Sequence, residues 1–177
     1  MSNAIVVRSD SLDDVQRVAK LLAVSGYFEA KGNTDVAIAQ IATKVLAGAE
    51  MGWGPFASVQ GIHIIQGRPS IAANLMAAAV KAHPMYDYRV RTMTEKECSI
   101  EFFQRNGDKW ESLGVSTFTA DDARKAQTKN MDKYARNMLF ARAMSNGVKW
   151  YTPDCFNGNA VYVPEELGAD VDGDGNV

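Results

Sequence analysis

Between Tyr86 and Phe118 the sequence takes on a two-residue period, and that stretch limits the folds open to the chain. Tyr86, Tyr88 and Val90 alternate with Asp87, Arg89 and Arg91, as in a strand with one face toward a core. Cys98 to Arg105 reads as a second strand and Trp110 to Phe118 as a third. Asn106-Gly107 between these two is the strongest hairpin signal in the chain, because both residues tolerate the positive φ of tight turns. Three consecutive strands so linked form an antiparallel meander.

Helical periods surround the meander. Ser11 N-caps a first helix, with Asp13 and Asp14 in its first turn and Leu12, Val15, Ala19 and Leu22 at helical spacing until Gly26. Thr34 caps a second helix through about Met51, with Ile38, Ile41 and Val45 on one face. Gly52-Trp53-Gly54-Pro55 must end it. A short helical or turn segment follows, and Gly61 to Ile65 then turns through Gln66-Gly67 into Arg68-Pro69-Ser70-Ile71 as a small hairpin. Ala72 to His83 is a helix stopped by Pro84. Thr119, with Asp121 and Asp122, starts a helix to about Ala126, and Met131 to Ser145 forms the last one, C-capped by Asn146-Gly147. Residues 1–10 read as a loose or strand-like lead, and 169–177 as an acidic disordered tail after a domain spanning 1–168. The fold class is α+β: a β-hairpin and a three-stranded antiparallel meander packed with about five helices.

Charge is unevenly placed. Residues 120–149 carry 7 Lys/Arg against 3 Asp/Glu, and residues 150–177 carry 0 against 6. A basic segment can bind phosphates although the whole chain has a net charge of −2, because fields decay over ~8 Å in physiological salt. No apolar run reaches membrane-spanning length, and the N-terminus has neither the basic flank nor the apolar core of a signal peptide. Two cysteines, Cys98 and Cys155, suit a reducing cytoplasm better than a disulfide framework.

The motifs of catalysis are missing. The sequence has no phosphate-binding Gly-x-x-x-x-Gly-Lys-Ser/Thr loop, no clustered His/Asp/Glu set and no Gly-x-Ser-x-Gly elbow. The expectation is a protein without covalent chemistry or a cofactor. His63 reads as a packed or edge histidine and His83 as a helix-end residue. Asp170-Val171-Asp172-Gly173-Asp174-Gly175 matches only the first half of a calcium loop. An acidic solvated tail is the better reading, and such a tail can also lie over the basic surface.

Lys129, Lys133 and Arg136 share a helical face, extended by Lys125 if the helix is continuous, and Phe140 lies near the same azimuth. Aromatic rings beside cations suit single strands, whose unpaired bases stack. A solvated face is the bland alternative. Arg142 falls toward the apolar side, near Met131 and Met138. Either it pairs with a carboxylate such as Asp154, or it projects into a groove that phosphate fills.

A family resemblance joins these pieces. Trp53-Gly54-Pro55, Gln60 through Ser70, and Asn74-Leu75-Met76 followed by Val80-Lys81-Ala82-His83-Pro84 resemble the front motifs of the RecT-type phage single-strand annealing proteins. Phe118 through Ala126 resembles that family's next block. Met138 through Ser145, Trp150 through Asp154, and Pro164-Glu165-Glu166-Leu167 resemble its closing blocks. The lambda Beta protein is more distantly similar, through the Met138-Leu139-x-x-Arg142-Ala143-Met144 core. The segment between Ala126 and Met131 is shorter than in the family and lacks its Gly-Leu and Trp landmarks.

The resemblance implies ATP-independent binding of single-stranded DNA and annealing to a duplex, by rings or helical filaments of identical subunits in a bacterial host's cytoplasm. It implies a phage 5′–3′ exonuclease as partner, and host single-strand-binding protein through a further C-terminal region that many relatives carry. Carried over through the core, the DNA-contacting basic positions are Arg136, Arg142 and Lys149, with Arg68 on the hairpin and Arg124 or Lys125 beside them. Lys133 joins them from the helical stripe. The competing readings are a passive single-strand coat protein and a self-assembling phage protein with no DNA role.

Overall fold

A computed structural model describes residues 11–26, 28, 32–159, 161–172 and 177. The expected lead over 1–10 lies outside the described residues. The chain divides into two compact units, 1–63 and 64–177. Among the described residues no helix is long and apolar enough to cross a membrane.

The first unit is helical. Its helices are α1 (Leu12–Val24), α2 (Thr34–Glu50) and α3 (Pro55–Gly61). Ser11 caps α1 as expected, its Oγ accepting from the Asp14 N–H at 3.1 Å. The cap of α2 is Asn33 rather than Thr34, with Oδ1 accepting from the Val36 N–H at 3.0 Å. Val15 and Ala19 of α1 bury against Ile41 and Val45 of α2 and Val59 of α3, flanked by Leu22 and Ile38.

Strand β1 (Ile62–Ile65) runs out of this unit and pairs with β2 (Arg68–Ile71). Gln66 and Gly67 link them at φ 50° and 77°, both left-handed, as a two-residue loop matched to the strand twist requires. Helix α4 (Ala73–Ala82) follows, and then the meander of β3 (Tyr86–Met93), β4 (Glu97–Asn106) and β5 (Lys109–Thr119), in spatial order β3-β4-β5. The β4–β5 link differs from the expected one in detail. Asn106 pairs with Lys109, so the loop residues are Gly107 and Asp108, with Gly107 first at φ 60°.

One face of the meander is the core of the second unit. Cys98, Ile100 and Phe102 of β4 are fully buried, together with Leu139, Met144 and Val148 of the last helix. Burial pushes the Cys98 thiol up to about 11, so it is a small core side chain at neutral pH. That last helix, α6 (Met131–Tyr151), is longer than expected. Asn146-Gly147 does not cap it: the helix runs on to Tyr151, and Gly147 lies over the Phe102 ring, where no room exists for a side chain.

The short helix α5 (Ala120–Lys125) precedes it. Thr119 Oγ1 accepts from the Asp122 N–H at 3.2 Å while Asp122 Oδ2 accepts from the Thr119 N–H at 3.1 Å, a reciprocal capping box. Thr119→Ala is expected to cost about 1 kcal/mol, seen as a lower chemical-denaturation midpoint with an unchanged slope.

After α6, 3-10 turns at Pro153–Phe156 and Pro164–Leu167 lead into a segment tied back to the helix. Lys129 Nζ donates to Gly168 O at 2.9 Å and Asn130 Nδ2 to Val171 O at 2.8 Å. Val171 is 2% exposed. Within the stretch expected to be an acidic tail, Asp170 and Val171 thus contact Asn130. Residues 173–176 lie outside the described set, and with them Asp174 of the half calcium loop.

Candidate nucleic-acid interface

The candidate basic residues all belong to the second unit and fall into three groups. The first is the exposed start of α6. Its N-cap, Asn130, is left-handed at φ 57°, and the helix is kinked at Tyr134, where φ is −132° and ψ 37°. Lys133 and Arg136 sit on either side of that kink and are exposed. With Tyr134, Asn137 and the acids Glu95 and Asp132 they line a concavity of about 440 Å³.

Asn137 also borders a second cavity, of about 230 Å³, walled by Asn74 at the start of α4, Phe140 and Ala141 of α6, and Pro164 and Glu165. Helix α4 has Ala72 at its N-cap and no side-chain cap. Its first turn, Ala73 and Asn74, opens on this cavity; the Leu75 N–H is taken by Asn74 Oδ1 at 2.8 Å, and the positive end of the helix favours an anion. Glu165 and Asp172, both on the cavity wall, oppose that preference. Burial raises the Glu165 carboxyl above the ordinary range, and its Oε2 is buried without a hydrogen-bond partner among the described residues.

The second group is Arg142 and Lys149, one face of α6 further along. Both converge on Glu166: Lys149 Nζ lies 2.7 Å and Arg142 Nη1 3.7 Å from its Oε2. The Ser145 hydroxyl donates to the other carboxylate oxygen. The Arg142 guanidinium also stands 5.0 Å from the centre of the Phe118 ring, and Lys149 Nζ 5.2 Å from that of Tyr162. The suggested partner Asp154 is engaged elsewhere, accepting from the Tyr86 hydroxyl at 2.9 Å. Burial, then this bond to Asp154, pushes the Tyr86 phenol up. Nothing in the residue pattern marked Glu166 as the shared partner. Its place 24 positions after Arg142 is set by the two 3-10 turns, which have no periodic signature.

The third group is peripheral. Arg124, on α5, pairs with Asp121 at 2.7 Å. Lys125 is exposed at the end of α5. Gln127 and Asn130 have φ of 54° and 57°, so α5 and α6 are separate helices and Lys125 does not continue the α6 stripe. Arg68 is exposed on β2, whose Ile71 N–H donates to Tyr162 O at 2.7 Å.

No family model, curated protein or solved structure matches this chain. What remains is the site itself. The histidines do not enter it. In the first unit, burial and then the nearby Lys44 charge push His63 down to about 4, which leaves it neutral at physiological pH. His83 caps the end of α4, with Nδ1 accepting from the Met85 N–H at 3.2 Å.

Proposed function

We propose that this chain binds single-stranded DNA along the exposed face of α6 and anneals complementary strands without ATP, like the RecT-type annealing proteins that it resembles. The observation that carries the reading is the pair of concavities meeting at Asn137, flanked by Lys133 and Arg136 on one side and by Phe140 and the start of α4 on the other. Cations and a helix start attract phosphates, and the Phe140 ring offers a face to an unpaired base.

In this reading Lys133 and Arg136 are the direct phosphate contacts, with Arg68, Arg124 and Lys125 extending the positive field. Arg142 and Lys149 are positioning residues that tie α6 to the 164–167 turn through Glu166. Bases held by phosphate and stacking contacts keep their edges free for a complement, so annealing needs no covalent step and no cofactor. Assembly into rings or filaments would place many such sites in a row. A phage exonuclease supplying single strands is the partner that the activity calls for, in the cytoplasm of a bacterial host.

A fluorescence-quench assay on complementary oligonucleotides is expected to show annealing faster than the spontaneous reaction. Binding without acceleration would leave the passive coat protein, and no mobility change at low salt the assembly protein without a DNA role. The double variant Lys133→Ala/Arg136→Ala is expected to reduce the salt slope of binding by about 1.4, from two phosphate contacts at about 0.7 each. Anisotropy titrations across a series of KCl concentrations measure it, and an unchanged slope removes both residues from the interface. Electron microscopy with and without complementary oligonucleotides tests assembly.

A further inference from the structure

We infer that the outer face of the β3–β4–β5 sheet is a second contact surface for single-stranded DNA, on which Phe103 and Trp110 stack bases while Arg89, Arg91 and Arg105 hold phosphates. The inference rests on the annealing reading only for the role of the strand held there, the complement being brought to the first.

The face is defined by register. Ile100 and Phe102 of β4 point into the core and are fully buried, so Glu101, Phe103 and Arg105 point the other way. Arg89 lies opposite Glu101, and Trp110 opposite Arg105; residues directly opposite share a face. A bulge between Val90 and Thr92 leaves Arg91 as an extra residue in β3. Bulges re-aim side chains, and here two guanidiniums approach one ring: Arg89 at 5.4 Å and Arg91 at 5.9 Å from the centre of Phe103. Trp110, opposite Arg105 near the β4–β5 turn, is 44% exposed.

The charges on this face are only partly cancelled. Glu101 is engaged by Arg91, with Nε at 2.6 Å and Nη2 at 2.5 Å from one carboxylate oxygen. The Ser112 hydroxyl donates to the other oxygen at 2.6 Å. Glu101 thereby fixes Arg91 beside the ring. Asp87 is engaged by Lys81 of α4. Arg89 has no ion pair among the described residues, although its charge acts on both Asp87 and Glu101, and Arg105 has a 3.9 Å contact to a fully exposed Asp108 while its Nε donates to Gly107 O at 3.0 Å. The surface therefore offers Arg89, without an ion pair among the described residues, and two positioned guanidiniums, Arg91 and Arg105, beside the half-buried Phe103 ring and the exposed Trp110 ring. That combination matches a flexible polyanion carrying planar bases. Duplex DNA fits it less well, because its bases are already stacked.

The test uses the full chain with Trp53→Phe and Trp150→Phe, which leaves Trp110 as the only one of three tryptophans. Titration with oligo(dT) at low salt is expected to quench Trp110 fluorescence. Arg89→Glu/Phe103→Ala is expected to weaken that quench-derived affinity roughly 5- to 100-fold, the range of one lost stacking contact and a charge; Arg89→Gln alone serves as a milder variant whose smaller loss must follow the same order. Lys133→Glu/Arg136→Glu, on α6, should lower the total binding seen by anisotropy and leave the Trp110 quench in place. If Trp110 stays silent while anisotropy saturates, the sheet surface is wrong and the α6 reading stands. If Trp110 is quenched and the α6 variant binds normally, the α6 reading fails and the sheet surface stands. No oligonucleotide binding at all overturns both.

Discussion

Replacing Glu166 by Ala is expected to lower the melting temperature of the second unit by about 6–12 °C, which is about 3 kcal/mol at roughly 2–4 °C per kcal/mol for a chain of this size. Glu166 is the carboxylate on which Arg142 and Lys149 converge, and its side chain is 9% exposed. Removing one member of such a group leaves the opposite charges without a partner in a poorly solvated place, which costs more than the pair contributes. The figure is set at the low end of that range because Arg142 and Lys149 keep 17% and 26% of their side-chain exposure, so water recovers part of the loss. The Ser145 hydroxyl also loses its acceptor. Thermal unfolding followed by circular dichroism measures the shift.

Two companion variants separate the charge from the shape. Glu166→Gln keeps the volume and one hydrogen-bonding oxygen and should lose less. In Glu166→Ala/Lys149→Ala the stranded ammonium is gone as well, so the double variant should be less destabilised than the sum of the singles. Strict additivity would mean that Lys149 and Glu166 do not act on each other. The same experiment bears on the DNA reading: if Arg142→Ala lowers stability as Glu166→Ala does while leaving the salt slope of binding unchanged, Arg142 acts through Glu166 and does not touch phosphate.

The sheet was legible in the sequence because its signals are local. Alternation in Tyr86–Arg91 and a Gly at the β4–β5 turn each act within a few residues, and the pairing of β3, β4 and β5 follows from chain order. Helix starts were legible for the same reason, Ser11 and Thr119 being caps whose partners lie three residues on. What was not legible depends on distant residues. That Gly147 continues α6 and packs on Phe102, 45 positions before it, is a long-range contact. The partner of Arg142 is set by the 3-10 turns after α6. The break between Lys125 and the α6 stripe comes from two left-handed residues, Gln127 and Asn130, neither of which is a glycine. The basic character of the region was therefore readable, but not which cations remain free. Lys133 and Arg136 are exposed; Arg142 and Lys149 are engaged by Glu166, which the sequence presented only as part of the Pro164–Leu167 block.

Gly147→Ala is expected to destabilise the second unit by about 2 kcal/mol or more, although alanine is the better helix former by about 1 kcal/mol. Both effects are present, and the geometry decides between them. A Cβ at position 147 would stand 2.0 Å from Phe102 Cε2 and 2.4 Å from Cζ, far inside the ~3.5–4.0 Å separation of carbon atoms in contact. The ring has no free space to enter: Phe102 is fully buried, with Tyr151 at 5.7 Å and Tyr88 at 6.3 Å between ring centres. Either α6 lifts from the sheet, losing the burial of Met144 and Val148, or the ring leaves its rotamer. Either response outweighs the helix-propensity gain. Gly147→Val should be worse, since its branched side chain adds volume at the same contact. Phe102→Leu in the Gly147→Ala background should recover part of the loss, because a smaller side chain vacates the space that the methyl needs, whereas Phe102→Leu alone leaves a cavity and destabilises. A cycle of the four proteins in urea measures the coupling. Stability equal to or above that of the parent in Gly147→Ala would mean that α6 and β4 are not held this close in solution.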